Sequence, residues 1–236
     1  MVQNYNDFIE TLLAAGFSMW SGNDDGIYSA VPIGNSAMDK NKELALDTPI
    51  CWFTGNPDTD PCVWSIRIFN ERNDIAYAKL FNKKSGYITK NWYHYFLAVR
   101  REGKTFEDRY AAGEMSHFAK RIYEVITSND RLPVHNIKEL GGFSKKDKPG
   151  FDRALTELQM KMFITICGAQ QKQSQTGKEY AWPSNVFCTT EYFWGSDVFE
   201  RASDITKDDA YGTIRKQILE LNPLAQEKKI SKFILG

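Results

Sequence analysis

The chain has 236 residues, enough for one large domain or two small ones with a hydrophobic core. Thirty basic residues balance thirty acidic ones, so the formal net charge is zero and any basic surface must be local. The four cysteines and three histidines lack zinc-site spacing, and no metal or cofactor is predicted. We find no membrane-length apolar run and no signal-peptide pattern, so we expect a cytoplasmic protein.

The first half of the chain predicts a mixture of helices and strands. Apolar residues at helical spacing predict a helix over 5–15. Asp60 followed by Pro61 is a typical start for a second helix. Residues 75–89 predict a β-hairpin with a polar, basic tip at 82–85. The remaining expectations are strand-like pieces at 27–31 and 51–53, and an apolar helix over 92–100 capped by Asn91.

The second half carries the clearest pattern. An amphipathic helix is predicted over 116–127, and a short helix over 134–140 is stopped by two glycines. A basic turn at 145–150 leads into a third helix over 151–159. Apolar strands at 162–168 and 180–188 then flank a polar, lysine-bearing tip. This order of helix, short helix, turn, helix and hairpin is typical of a winged helix-turn-helix domain.

These elements indicate an α+β fold with three segments. Residues 1–110 form an N-terminal α+β region, and residues 114–195 are predicted to form the winged helix-turn-helix domain. Residues 196–236 are a C-terminal helical tail, with helices expected near 210–221 and 224–235.

Basic charge clusters in the predicted winged helix. Residues 138–178 hold eight basic and four acidic side chains, a local excess of four positive charges in a chain of zero net charge. The third helix of such a domain commonly enters the major groove, and the wing contacts phosphates. The alternative is that these lysines only solvate a turn and a hairpin tip. The candidate DNA contacts are Lys145, Lys146, Lys148, Arg153, Lys172 and Lys178.

Three further features have structural alternatives that we favour. The hairpin tip with Lys83 and Lys84, beside the aromatic block 92–96, can clamp a nucleic-acid strand, but helical apolar spacing usually indicates core. The carboxylates of Asp58 and Asp60 can do acid–base work, but Asp60 before Pro61 fits a helix cap. A nucleophile pair of Cys51 or Cys62 with His94 has no support in the sequence.

Three sequence blocks resemble a group of small bacterial proteins related to the AlkZ DNA glycosylases, over about residues 51–194. The blocks are Trp52-Phe53-Thr54-Gly55 with Asp60-Pro61-Cys62-Val63-Trp64, Ala76-Tyr77-Ala78-Lys79 through Gly86-Tyr87-Ile88, and Asp152-Arg153-Ala154-Leu155 through Gly168.

The resemblance implies tandem winged-helix motifs, with a degenerate copy in the N-terminal half whose wing is the 75–89 hairpin. It also implies base excision by a Gln-hydrophobic-Gln motif in a β-strand. This chain has Gln171-Lys172-Gln173, with lysine in the middle and in the predicted wing tip, so the catalytic role is not carried over. The resulting hypothesis is a DNA-binding protein without the full catalytic motif. The alternatives are an active glycosylase with an unrecognised catalytic residue and a protein-interaction module.

Overall fold

The computed structural model describes residues 2–20, 27–31, 50–173 and 179–236. In the N-terminal half, Asn4 accepts a hydrogen bond from the Asp7 backbone to start the first helix, and Asp60 caps the second through the Cys62 N–H. The elements are α1 (Tyr5–Ala15), β1 (Phe17–Met19), α2 (Pro61–Glu71), β2 (Ile75–Phe81), β3 (Lys84–Thr89), α3 (Lys90–Arg101) and α4 (Phe106–Ala111).

The second half begins where the Ser116 side chain caps a strongly amphipathic helix. The elements are α5 (His117–Thr127), β4 (Arg131–Pro133), α6 (Val134–Leu140), a short 3-10 helix (Lys145–Asp147), α7 (Lys148–Met160), β5 (Ile164–Gln173), β6 (Glu179–Thr189), α8 (Thr190–Trp194), α9 (Asp197–Ser203), α10 (Lys207–Leu221) and α11 (Glu227–Leu235). Within the described residues, none of the helices has the length and apolar character needed to cross a membrane.

One antiparallel sheet joins the two halves of the chain. Its strand order is β1-β3-β2-β5-β6-β4. The two hairpins, β2–β3 and β5–β6, meet where Tyr77 pairs with Ile166. The α+β class is therefore confirmed, and the N-terminal hairpin lies directly beside the hairpin of the second half.

The structure corrects several predicted boundaries in the first half. Residues 27–31 and 51–53 are not strands. Phe53 instead adopts a left-handed conformation with φ of 62° in a loop that is closed by the Cys51 N–H donating to the Thr59 carbonyl. The predicted hairpin tip 82–85 shortens to Asn82 and Lys83, whose positive φ values of 48° and 67° suit a two-residue turn. Helix α3 begins after Thr89, not after Asn91.

The second half also differs from the sequence expectation at three places. Helix α7 takes in half of the predicted basic turn, because Pro149 is well tolerated in a first helical turn. Strands β5 and β6 extend well into the predicted tip, so Gln171-Lys172-Gln173 belongs to a strand. The acidic stretch before residue 210 holds α9 and the start of α10, where Thr206 caps the Asp209 backbone.

The C-terminal helices pack on α3 in one hydrophobic cluster. Phe96 of α3, Ile214 and Ile218 of α10, and Phe233 of α11 are all buried there. The Phe233 ring stacks on Phe81 of β2, with ring centroids 3.9 Å apart. The tail therefore covers the same face of the sheet that α3 covers.

Arg100 ties four elements together. Its buried guanidinium donates to the carbonyls of Ile234 at 2.9 Å and Phe233 at 2.8 Å in α11, of Leu80 at 2.7 Å in β2, and of Met160 at 3.1 Å in α7. Burial lowers the pKa of Arg100 to about 9, which leaves it protonated at neutral pH. Carbonyls at two helix C-termini, where the helix dipole is negative, satisfy a charge that water cannot reach.

We expect Arg100→Ala to lower the free energy of unfolding by about 3–5 kcal/mol, the range for removing one partner of a buried charged interaction. Urea unfolding measures this change. The control is Arg215→Ala, which removes an exposed ion pair to Glu227 and should leave the midpoint nearly unchanged. Equal midpoints for the two variants would contradict the role given to Arg100.

His94 is a buried histidine at the contact between α3 and α9. Only 3% of it is exposed, and its Nε2 lies 3.4 Å from the Arg201 guanidinium. Burial and then the positive charge of Arg201 lower the pKa of His94 to about 4. The folded protein therefore holds this side chain neutral over a range in which an unfolded chain, with an ordinary histidine pKa of about 6.5, takes up a proton.

Stability should consequently fall as the pH drops through about 6.5 and continue to fall toward pH 4. In His94→Gln this part of the pH dependence should disappear, because the variant side chain does not titrate. Urea midpoints measured between about pH 7.5 and about pH 4.5 at constant ionic strength test this prediction, because constant ionic strength keeps the electrostatic screening the same. His117→Gln, at an exposed position, is the control and should keep the wild-type slope.

Candidate nucleic-acid interface

Helix α7 is held against the sheet by its apolar side and turns its polar side outward. Phe151, Leu155 and Leu158 are buried in a cluster shared with α5 and strands β5 and β6. Asp152 and Arg153, on the opposite side of the helix, are exposed. The helical period therefore presents one polar stripe of α7 toward the N-terminal hairpin.

Gln159 fixes the distance between α7 and strand β2. Its buried side chain accepts a hydrogen bond from the Lys79 N–H at 3.0 Å and donates to the Leu155 carbonyl at 2.9 Å. The amide oxygen and the amide nitrogen each have a hydrogen-bond partner. These two bonds, together with side-chain packing, fix the position of α7 relative to β2. A cleft opens between β2 and α7 on the solvent side of this bond.

The outer part of the cleft is a cavity of about 570 Å³ with several cationic side chains. We call it the outer cavity. Arg153 of α7, Lys79 of β2 and Lys83 of the hairpin turn have no ion-pair partner among the described residues. Its lining is Lys79, Lys83, Asp152, Arg153, Thr156, Glu157, Met160, Lys161, Leu235 and Gly236.

The two carboxylates in the outer cavity are already neutralised. Lys148 Nζ lies 2.6 Å from Asp152, and Lys161 Nζ lies 3.2 Å from Glu157, each one helical turn away. Their repulsion of an incoming anion is therefore reduced. Since Lys79, Lys83 and Arg153 have no ion-pair partner among the described residues, the side chains that line the cavity carry an excess of positive charge.

The inner part of the cleft is a cavity of about 480 Å³ over strands β2, β5 and β6, and we call it the inner cavity. Its walls combine apolar and aromatic side chains with neutral polar groups, and the charged Lys79 and Asp152 lie where it meets the outer cavity. The lining is Tyr77, Lys79, Ser85, Val134, Asp152, Leu155, Thr156, Gln159, Ile166, Pro183, Ser184, Asn185 and Phe187.

The structure brings together only part of the predicted site. Lys83 and Arg153 line the same outer cavity. Lys145 and Lys146 are exposed on the 3-10 helix that leads into α7, and Lys148 pairs with Asp152. Lys84 begins β3 and does not line the described cavities. The Lys172 side chain and all of Lys178 lie outside the described residues.

Lys79, Tyr77 and Asn185 also line the cleft, although none of them was predicted from the sequence as a site residue. Lys79 is the one exposed position in β2, where Tyr77 is half-buried and the other five residues are buried. A lysine that interrupts an apolar strand was the available signal. No nearby residue in the sequence marks Tyr77 or Asn185 as a site residue, because the residues beside them in the cavity come from distant parts of the chain.

The alternative features have structural roles. Tyr93 and Phe96 are buried, so the aromatic block 92–96 contributes to the core as expected. Asp60 caps α2, and Asp58 pairs with Arg67 at 3.0 Å. Burial first, and then the charge of Asp60, raises the pKa of the Cys62 thiol to about 11, which disfavours a nucleophilic thiolate.

His94 contacts Arg201 and Tyr95. In the described part of the chain, no three or more His, Cys, Asp or Glu side chains group as metal ligands would.

The comparison with protein families gives one result that spans the chain. The model of the AlkZ-related family matches residues 2–235, so the chain belongs to this family. Searches of curated proteins and of solved structures return no significant match.

We expect Gln159→Leu to lower the free energy of unfolding by about 1–3 kcal/mol, because it leaves the Lys79 N–H without its acceptor. Thermal or urea unfolding measures the change. Gln3→Leu, at an exposed position, is the matched control and should be close to wild type. A Gln159→Leu variant as stable as this control would show that the bond does not hold α7 to β2.

Proposed function

We propose that this chain is a cytoplasmic DNA-binding protein of winged-helix architecture, related to alkylation-repair DNA glycosylases and without their full catalytic motif. The observation that carries the proposal is the outer cavity, where Lys79, Lys83 and Arg153 converge without ion-pair partners among the described residues. Family membership adds the relation to DNA repair. Phosphate contacts by such cations supply most of the sequence-independent affinity for DNA.

Residues 114–195 form the proposed winged helix. In support, α5, α6 and α7 precede the β5–β6 hairpin, and β4 pairs with β6. This is the order of helices and strands that winged helix-turn-helix domains use. In the same proposal, the 1–110 region is a degenerate second copy whose wing is β2–β3, and 196–236 is a tail that packs on α3.

In this arrangement α7 and the β2–β3 turn share one DNA segment. Arg153 approaches from the helix and Lys83 from the turn, and both line the same cavity. Lys145 and Lys146, just before α7, extend the basic surface along the DNA backbone. Because the chain has zero net charge, the basic surface that contacts DNA must be local.

Salt-dependent binding to a mixed-sequence DNA duplex tests the proposal. We expect fluorescence anisotropy to show affinity that falls steeply with salt. The double variant Lys83→Ala with Arg153→Ala should bind more weakly for every sequence, with a salt slope reduced by about 2, or roughly 0.9 for each phosphate contact. Lys145→Ala with Lys146→Ala should act in the same direction.

The control is Lys104→Ala with Lys216→Ala, two exposed lysines outside both cavities, which should bind like wild type. If this control loses as much affinity as the cleft variant, DNA binds to basic residues over the whole surface and the cleft is not its binding site. Failure of the wild type to bind at low salt would overturn the proposal and favour a protein-interaction module.

The second candidate is base excision, favoured by the family relation. Gln171-Lys172-Gln173 lies on β5, but lysine replaces the central hydrophobic residue. An assay for abasic sites in alkylated duplex DNA separates the two functions. Abasic sites above the level without protein would establish an enzyme, whereas binding without them would support the non-catalytic function.

A further inference from the structure

The outer and inner cavities are parts of one continuous cleft. They share Lys79, Asp152 and Thr156 in their linings. The outer cavity offers cations, and the inner cavity offers aromatic and aliphatic walls. A ligand that spans both must therefore have an anionic end and a flat or apolar end joined over a short distance.

The inner cavity has a fixed aromatic wall. The Tyr77 ring lies 4.9 Å from the Tyr87 ring and 5.8 Å from the Phe69 ring. Phe187 and Ile166 are almost fully buried on the neighbouring strands. These groups are held by core packing, so the wall is formed before a ligand arrives.

Asn185 is the polar group of the inner cavity that remains available. Its amide has no hydrogen-bond partner among the described residues, and it is exposed on β6. Ser184 is engaged with His135 at 3.3 Å, and both ends of Gln159 are satisfied. An amide that offers both donor and acceptor groups matches the hydrogen-bonding edge of a nucleobase.

We propose that the cleft binds one unpaired nucleotide of DNA, with its phosphate beside Lys79, Lys83 and Arg153 and its base against Tyr77 in the inner cavity. This inference rests on the proposed DNA binding and adds the form of DNA. The volumes of about 570 and 480 Å³ are of the size that small-ligand pockets occupy. A base stacked inside a duplex does not reach such a pocket, so the nucleotide is single-stranded, bulged or extruded.

The test compares two 15-base-pair DNA duplexes, one fully paired and one with a single bulged nucleotide, by anisotropy at low salt. We expect the bulged duplex to bind about tenfold more tightly, within the range that one base–aromatic stack contributes. Asn185→Trp places a large side chain in the inner cavity and should remove this preference, so that the bulged and the paired duplex bind with equal affinity. Asn185→Ala should reduce the preference without filling the cavity.

The outcomes separate the inference from the function on which it rests. Equal affinity for the two duplexes would overturn the nucleotide pocket and leave DNA binding intact. A preference that survives Asn185→Trp would also overturn it, because the base then lies elsewhere. No binding of either duplex would overturn both proposals. Lys83→Ala with Arg153→Ala should weaken binding of both duplexes, since it removes phosphate contacts.

Discussion

The fold depends on the buried positive charge of Arg100, which joins helix α3 to β2, α7 and α11. The Arg100 side chain is almost entirely buried, and burying a charge costs several kcal/mol unless hydrogen bonds replace the lost hydration. Four backbone carbonyls from α7, α11 and β2 replace it. Met160, one of these acceptors, also lines the outer cavity. The same guanidinium that holds the C-terminal helix on the sheet therefore also fixes the end of α7, and with it one side of the cleft.

The cleft carries a local excess of positive charge because the acidic side chains in its lining are paired within α7. Lys148 with Asp152 and Lys161 with Glu157 are pairs one turn apart on α7 itself. The cations contributed by β2 and its turn have no such neighbours among the described residues. Cationic side chains that converge in a concave place favour an anionic ligand there even in a chain of zero net charge, because low-dielectric walls focus their field.

Local sequence signals predicted much of the fold. Asp60-Pro61 and Ser116 marked helix starts correctly, and two strand-like runs on either side of a polar, basic tip in residues 75–89 predicted the first hairpin. These signals act between residues a few positions apart. The cleft depends on contacts such as Lys79 with Gln159, eighty residues apart, and Tyr77 with Ile166, which no periodicity encodes. The positions of basic residues in the sequence identified Arg153, Lys83 and Lys148 alike as candidate contacts. They did not show that Lys148 pairs with Asp152, whereas Arg153 and Lys83 have no ion-pair partner among the described residues.

Amide hydrogen exchange with and without saturating mixed-sequence DNA tests the central claim, that the cleft between β2 and α7 is the DNA-binding surface. The account predicts slower exchange in the first turns of α7, in the β2–β3 turn and along residues 183–187 of β6, with little change in α9 and α10. Protection confined to α9 and α10, with the cleft unchanged, would contradict it.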